Sequence, residues 1–152
     1  QGSMKVLFVC TANTCRSPML EQMFRQYAFA RGIKDIEVDS AGLAPRDDDT
    51  LNPYCASVLE RHGVPYYIDR KAKTIDKKAV KSANLVYTMD DEQANAVRET
   101  YGVKRKVKSL SSFCGGGVLD PYGYDEGAYE ATYSLFLSIL PNLYAEVTKE
   151  RK

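Results

Sequence analysis

Two thiols and a guanidinium share one short stretch of the chain, Val9-Cys10-Thr11-Ala12-Asn13-Thr14-Cys15-Arg16-Ser17-Pro18-Met19. Arginine presents a planar fork of donors that grips two oxygens of a phosphate group. A loop of small residues can turn successive N–H groups inward as a nest for an oxyanion, and a helix starting at its end adds the positive pole of a dipole. Thr11, Ala12, Asn13, Thr14, Cys15, Arg16 and Ser17 therefore read as an anion cradle. The same field holds the thiol of Cys10 as a thiolate, and Ser17 can donate its hydroxyl to that sulfur. A thiolate beneath a bound phosphate is a nucleophile. Taken alone, Cys10 reads equally well as a small buried hydrophobe, and it is the company of Arg16 and Ser17 that turns it toward chemistry.

Phosphoryl transfer to sulfur needs a proton for the leaving group and afterwards a base for water. The candidate is Asp120, in the turn Leu119-Asp120-Pro121-Tyr122-Gly123 that follows Gly115-Gly116-Gly117. An ordinary Asp-Pro turn is the competing reading. The loop lacks the glycines and lysine of a GxxxxGK pattern, which disfavours nucleotide binding. Cys10, Cys15, Cys55 and Cys114 form no pair of CxxC motifs, so neither a zinc site nor a disulfide framework is signalled, and neither metal nor cofactor is expected. His62, just before Gly63, reads as a helix-end cap or a packed side chain.

The elements that must position these residues follow from periodicity. Lys5 to Val9 is a short apolar run of buried-strand type, and a helix from Ser17 to Arg31 carries Met19, Leu20, Met23, Phe24 and Tyr27 at helical spacing. Ile36 to Ser40 alternates as a strand, followed by a turn at Ala41-Gly42 and an acidic loop, Asp47-Asp48-Asp49. Asn52-Pro53 opens a second helix that ends at Gly63. Asn84 to Met89 and Lys106 to Leu110 supply two more strands, with a helix from Asp90 to Thr100 between them. A flexible Cys114 to Gly117 stretch precedes a closing helix from Glu126 to Lys149. Strands separated by helices give an α/β fold, a parallel sheet covered on both faces as a three-layer sandwich, with ligands at the carboxyl ends of the strands. The loop from Cys10 to Ser17 lies at such an end.

Composition narrows the field further. The 152 residues are 44% hydrophobic, enough to close one core, and Lys+Arg 21 against Asp+Glu 20 leaves no basic excess for a nucleic-acid partner. No apolar run approaches the roughly 20 residues of a membrane span, and the N-terminus lacks a signal-peptide plan, so a cytoplasmic protein without a membrane partner is expected. Gln1-Gly2-Ser3 before Met4 reads as a cloning remnant, leaving residues 4–152 as one domain.

Together these pieces resemble the low-molecular-weight protein tyrosine phosphatase family. The matching motifs are FVCTANTCRSPM near the start, DSAG after the second strand, RHG closing the second helix, LVYTMD at the third strand and LDPYG near the end. The resemblance implies a four-stranded, Rossmann-like parallel sheet and hydrolysis of phosphorylated protein or peptide side chains through a phosphocysteine. It casts Cys10 as nucleophile, Arg16 as phosphate ligand, Ser17 as support for the thiolate and Asp120 as general acid, then base. It also gives Asn13 and Ser40 a bracing role and makes Cys15 a redox partner of Cys10, against the plainer reading of a packed thiol. A monomer or weak dimer binding phosphate or other oxyanions is implied.

Several residues depart from the tyrosine-specific pattern. After the loop asparagine, tyrosine-specific members commonly carry a bulky aliphatic, whereas Thr14 stands here, as in protein arginine phosphatases of the same fold. Arg46 and Gly123 lie near positions where aromatics are usual, and the Asp47-Asp48-Asp49 run could attract a cationic side chain. Phosphoarginine is therefore the favoured substrate. Phosphotyrosine is the alternative, with Tyr122 or Tyr124 as a wall. Arsenate reduction and an inactive phosphate-binding module rank lower, because the first normally needs a later cysteine pair and the second has no use for Asp120.

Overall fold

The computed structural model describes residues 3–151. The reading of Gln1 and Gly2 as a remnant lies outside the described residues. Four parallel strands, β1 (Met4–Cys10), β2 (Ile36–Gly42), β3 (Leu85–Thr88) and β4 (Val107–Ser109), form one sheet in the order β2-β1-β3-β4. Six helices connect and cover them: α1 (Arg16–Ala30), α2 (Pro53–Arg61), α3 (Lys77–Ser82), α4 (Asp91–Tyr101), α5 (Ser111–Cys114) and α6 (Glu126–Glu150). Among the described residues no helix is long and apolar enough to cross a membrane.

The two faces of the sheet are packed separately, as a parallel sheet requires. Successive side chains of a strand point to opposite faces. Met4, Val6, Phe8 and Cys10 of β1 enter the core shared with α1, α2 and α6, while Leu7 and Val9 enter the one shared with α3 and α4. Phe8 is fully buried between Phe24 (ring centroids 5.8 Å apart, edge-on) and Tyr87 (5.9 Å), and burying such a side chain contributes about 1.5–3 kcal/mol. This alternation sends the Cys10 side chain toward α1 and α6.

Helix starts are set by side-chain caps. Asn52 accepts from Tyr54 N–H (2.8 Å) with Pro53 at the first helical position, and Asp90 accepts from Gln93 N–H (2.8 Å). His62 is the C-cap of α2, stacked on Tyr133 (3.9 Å) and paired with Glu130, the packed role expected of it.

Three local expectations need correction. Ala41-Gly42 is not a turn: β2 continues through it, Cys10 stands opposite Gly42, and Gly42 also exchanges hydrogen bonds with Lys73 and Ile75. The stretch expected to be flexible, Cys114 to Gly117, begins on the last residue of a short helix, Ser111–Cys114, that Gly115 ends at φ 74°, and Cys114 is partly buried. The short α3 escaped the periodicity reading, because six residues carry less than two helical turns of pattern.

Candidate active site

The loop between β1 and α1 is built around a single left-handed residue. Asn13 has φ 59°, a conformation that asparagine tolerates better than most side chains, and it folds the loop back so that Asn13 N–H points at Cys10 Sγ (3.3 Å). Gly42 lies close beneath. A Cβ added there would stand 2.7 Å from the Thr11 carbonyl oxygen and 3.0 Å from Asn13 Cβ, so only glycine lets β2 support the loop this closely. At the far end α1 begins at Arg16 without a side-chain cap and without an acidic residue in its first turn, which leaves the N–H groups and the positive dipole end to the loop.

A chain of hydrogen bonds fixes the proton on Ser17. The buried carboxylate of Glu21, paired with Arg25 (2.8 Å), can only accept, so Ser40 Oγ donates to it (2.6 Å). Ser40 Oγ then accepts from Asn13 Nδ2 (3.0 Å) and from Arg70 Nη2 (2.8 Å). The second Asn13 amide hydrogen goes to Ser17 Oγ (2.8 Å), and the Ser17 hydrogen is left to point at Cys10 Sγ (2.9 Å). Arg70 Nη1 (3.1 Å) and Lys73 N–H (2.9 Å) hold Asn13 Oδ1 from the other side. Cys10, Asn13, Ser17 and Ser40 are all buried.

Arg16 is 7% exposed, and its Nη1 is tied to the Val118 carbonyl (2.8 Å). Its Nη2 lies 3.7 Å from Asp120 Oδ2, whose side chain is 53% exposed. A buried guanidinium, a group able to hold an anion, thus stands beside a solvent-facing carboxyl, a group able to carry a proton. Both line a cleft of about 480 Å³ with Thr11, Asp90, Gln93 and Val118. Gln93 Nε2 donates to Thr11 Oγ1 (3.1 Å), bracing the first loop residue from α4. Asp120 also accepts from Tyr122 N–H (3.1 Å), the hydrogen bond of an Asp-Pro turn, so the turn reading and the site reading describe the same geometry. Among the described residues no group of three or more His, Cys, Asp or Glu is arranged for a metal ion.

Cys15 points away from solvent and meets Cys55 of α2. Its hydrogen-bond contact with the Cys55 thiol, together with burial, pushes the Cys15 thiol well above its ordinary range. Tyr129, packed on Tyr54 with ring centroids 5.2 Å apart, is pushed up to about 12 by burial and by the nearby Cys15 and Asp120.

The structure thus brings Cys10, Asn13, Arg16, Ser17, Ser40 and Asp120 together, as the sequence implied. Thr14 is half-buried, its carbonyl accepting from Asn52 N–H (2.9 Å). The acidic run is less available than expected. Asp48 is paired with Lys71 (3.3 Å) and Asp49 with Arg46 (3.5 Å). Tyr54, Tyr122 and Tyr124 stay exposed. Sequence reasoning missed Arg70, Glu21 and Gln93. The one available signal was Glu21 itself, a charge within the apolar stripe Leu20, Met23 and Phe24, where a buried carboxylate requires partners.

Comparison with known proteins shows the family and the fold. The family model described as low molecular weight phosphotyrosine protein phosphatase matches residues 5–152. A protein-arginine-phosphatase of Bacillus subtilis is 30% identical over 98% of this chain and 100% of its own length. The low molecular weight protein-tyrosine-phosphatase PtpB of Staphylococcus haemolyticus is 30% identical over 92% of this chain and 97% of its own. Among solved structures, a YwlE arginine phosphatase mutant with a phosphorylated active-site serine superposes with TM-score 0.88 at 28% identity, covering 97% of this chain and 98% of that one. A low molecular weight protein tyrosine phosphatase from T. tengcongensis gives TM-score 0.87 at 33% identity, over 95% and 99% of the two chains.

Proposed function

The chain belongs to the low molecular weight phosphotyrosine protein phosphatase family, a class of cysteine-based protein phosphatases, and on that premise we propose that Cys10 is its nucleophile and phosphoarginine its preferred substrate. In this reading Cys10 Sγ attacks phosphorus from the base of the loop, and the loop N–H groups with Arg16 hold the phosphoryl oxygens as charge spreads over them. Asp120 gives its proton to the departing guanidine nitrogen. The phosphocysteine is then hydrolysed by a water that the same residue, now a carboxylate, deprotonates. Phosphate leaves, and Ser17 again donates to the free sulfur.

Thr14 carries the choice of substrate. A hydroxyl at this half-buried loop position is a polar partner for a guanidinium, where a bulky aliphatic would pack against a phenyl ring. The full-length similarity to a protein-arginine-phosphatase supports the same choice. Phosphotyrosine is the second reading, favoured by the exposed rings of Tyr54, Tyr122 and Tyr124 and by the equally similar tyrosine phosphatases.

The test compares turnover of phosphoarginine and phosphotyrosine peptides by the wild type and by Thr14→Ile. Losing a hydrogen bond to a charged group costs about 1.5–3 kcal/mol, roughly a tenfold to hundredfold change in discrimination. The variant is expected to lose phosphoarginine activity selectively and to keep or gain phosphotyrosine activity. A wild type that prefers phosphotyrosine, or a parallel loss of both activities, sinks the arginine reading.

A further inference from the structure

Three of the four cysteines lie in one buried core. Cys10, Cys15 and Cys55 are buried at 2%, 6% and 0% exposure, and all three carry free thiols. Cys55 Sγ donates to the Cys15 carbonyl oxygen (3.8 Å), and Cys10, Cys15 and Cys55 all belong to one buried core. Cys15 stands in the same loop as Cys10, between β1 and α1. Cys15 therefore shares its loop with one cysteine, Cys10, and is touched by a second, Cys55, from the first turn of α2. Phosphoryl transfer as described above has no use for Cys55.

We propose that Cys55 is an exchange thiol that moves an oxidative disulfide off the nucleophile, so that a protein oxidised by peroxide regains a reduced Cys10. The proposal rests on Cys10 being the reactive thiolate. Peroxide oxidises Cys10 to a sulfenic acid and departs as hydroxide. The Cys15 thiol attacks Cys10 Sγ; the Cys10–Cys15 bond forms and the hydroxyl leaves with the Cys15 proton as water. Cys55, giving its proton to water, attacks Cys15 Sγ. The Cys10–Cys15 bond breaks, its electron pair leaves on Cys10 as thiolate, and a Cys15–Cys55 disulfide remains. One peroxide is reduced and one disulfide is made.

Two features set the direction of exchange. The group that leaves is Cys10, whose sulfur is met by Asn13 N–H (3.3 Å) and the Ser17 hydroxyl (2.9 Å), and a better-stabilised thiolate leaves faster and makes the more oxidising disulfide. Cys55 lies in an apolar core beside Ala56, Val58 and Leu59, where a neutral disulfide is better accommodated than a charged sulfur. The Cys15–Cys55 link also ties the catalytic loop to α2 across a sequence separation of 40 residues.

The test oxidises the wild-type protein with one equivalent of hydrogen peroxide, blocks free thiols at intervals with an alkylating reagent and maps the peptides by mass spectrometry, while phosphatase activity is followed without added reductant. The expected result is a transient Cys10–Cys15 link giving way to Cys15–Cys55, with Cys10 alkylatable again and activity recovering at least tenfold over its minimum. Cys55→Ala should stop at Cys10–Cys15 and stay inactive until a thiol is added. A wild type that holds only Cys10–Cys15, or that recovers no better than Cys55→Ala, overturns the proposal. The peptide map of the wild type decides the question even if the variant fails to fold. Loss of all activity in Cys10→Ser before any oxidation separately establishes the nucleophile, so a failure of that assignment is distinguishable from a failure of exchange.

Discussion

Arg70 offers the sharpest test of how the loop is held. Its side chain is 14% exposed, and it donates to Asn13 Oδ1 (3.1 Å) and Ser40 Oγ (2.8 Å) while standing 3.5 Å from Glu21. Arg70→Met keeps most of the aliphatic stem and removes the fork. A hydrogen bond to a charged group contributes about 1.5–3 kcal/mol, and two of them at the low end of that range give about 3 kcal/mol. The low end applies because Asn13 Oδ1 keeps Lys73 N–H (2.9 Å) and Glu21 keeps Arg25 (2.8 Å). In a domain of this size each kcal/mol moves Tm by roughly 2–4 °C, so calorimetry should find Tm lower by about 6–12 °C. With Asn13 less firmly held at φ 59° and the Ser17 proton no longer directed, kcat on an aryl phosphate should fall by about tenfold, the equivalent of 1.4 kcal/mol in the barrier. Arg70→Lys, which keeps the charge but not the fork, should lie between. A methionine variant within about a degree of wild type in Tm and unchanged in kcat would refute the reasoning, since Arg25 alone would then suffice for Glu21.

Other consequences are open to direct measurement. Asp120→Asn should lower kcat by roughly 100- to 10,000-fold on substrates with poor leaving groups and much less on activated aryl phosphates; equal losses on both would remove Asp120 as the acid. Gly42→Ala forces a methyl to within 2.7 Å of the Thr11 carbonyl, so inhibition by inorganic phosphate should weaken along with stability, and unchanged phosphate affinity would mean that the loop does not need this close support. The Glu130 carboxyl is held below its ordinary 4.5 by His62 and Arg61, so its contribution is present above that pH and lost as the pH falls through the lower folded value. Urea midpoints of the wild type should therefore drop more steeply below about pH 4.5 than those of Glu130→Gln, and equal slopes would place the acid sensitivity elsewhere.

What the sequence revealed and what it hid have physical causes. Every long-period element was legible because its burial pattern repeats locally: the Met19-Leu20-Met23-Phe24 stripe, the apolar run before Cys10 and the helix start at Asn52-Pro53 announce themselves within a few residues. The candidate site was legible for the same reason, since Cys10, Arg16 and Ser17 occupy one loop. Asp120, remote in sequence, was found only because the chemistry demanded an acid. Arg70 had no such advocate. Its partners lie 57, 30 and 49 residues away, and an arginine in a loop flanked by Asp69 and Lys71 carries the pattern of a solvated surface.

The hidden part of the site is also the part that gives the visible part its direction. A serine hydroxyl beside a cysteine sulfur can point its hydrogen either way, and nothing in the order Cys10 to Ser17 decides which. The decision comes from Glu21, which can only accept, and it is passed through the Ser40 hydroxyl and the Asn13 amide until Ser17 has one hydrogen left and one place to put it. Arg70 enters this chain twice, on Ser40 and on Asn13, so it holds both the donor geometry and the left-handed residue that makes it possible. A buried carboxylate flanked by two arginines is expensive to desolvate, and burial of this kind is weak support for stability by itself. Its position argues for another use. It orients a neutral chain of hydrogen bonds that ends on the Cys10 sulfur, the atom to which the proposed mechanism gives the attack.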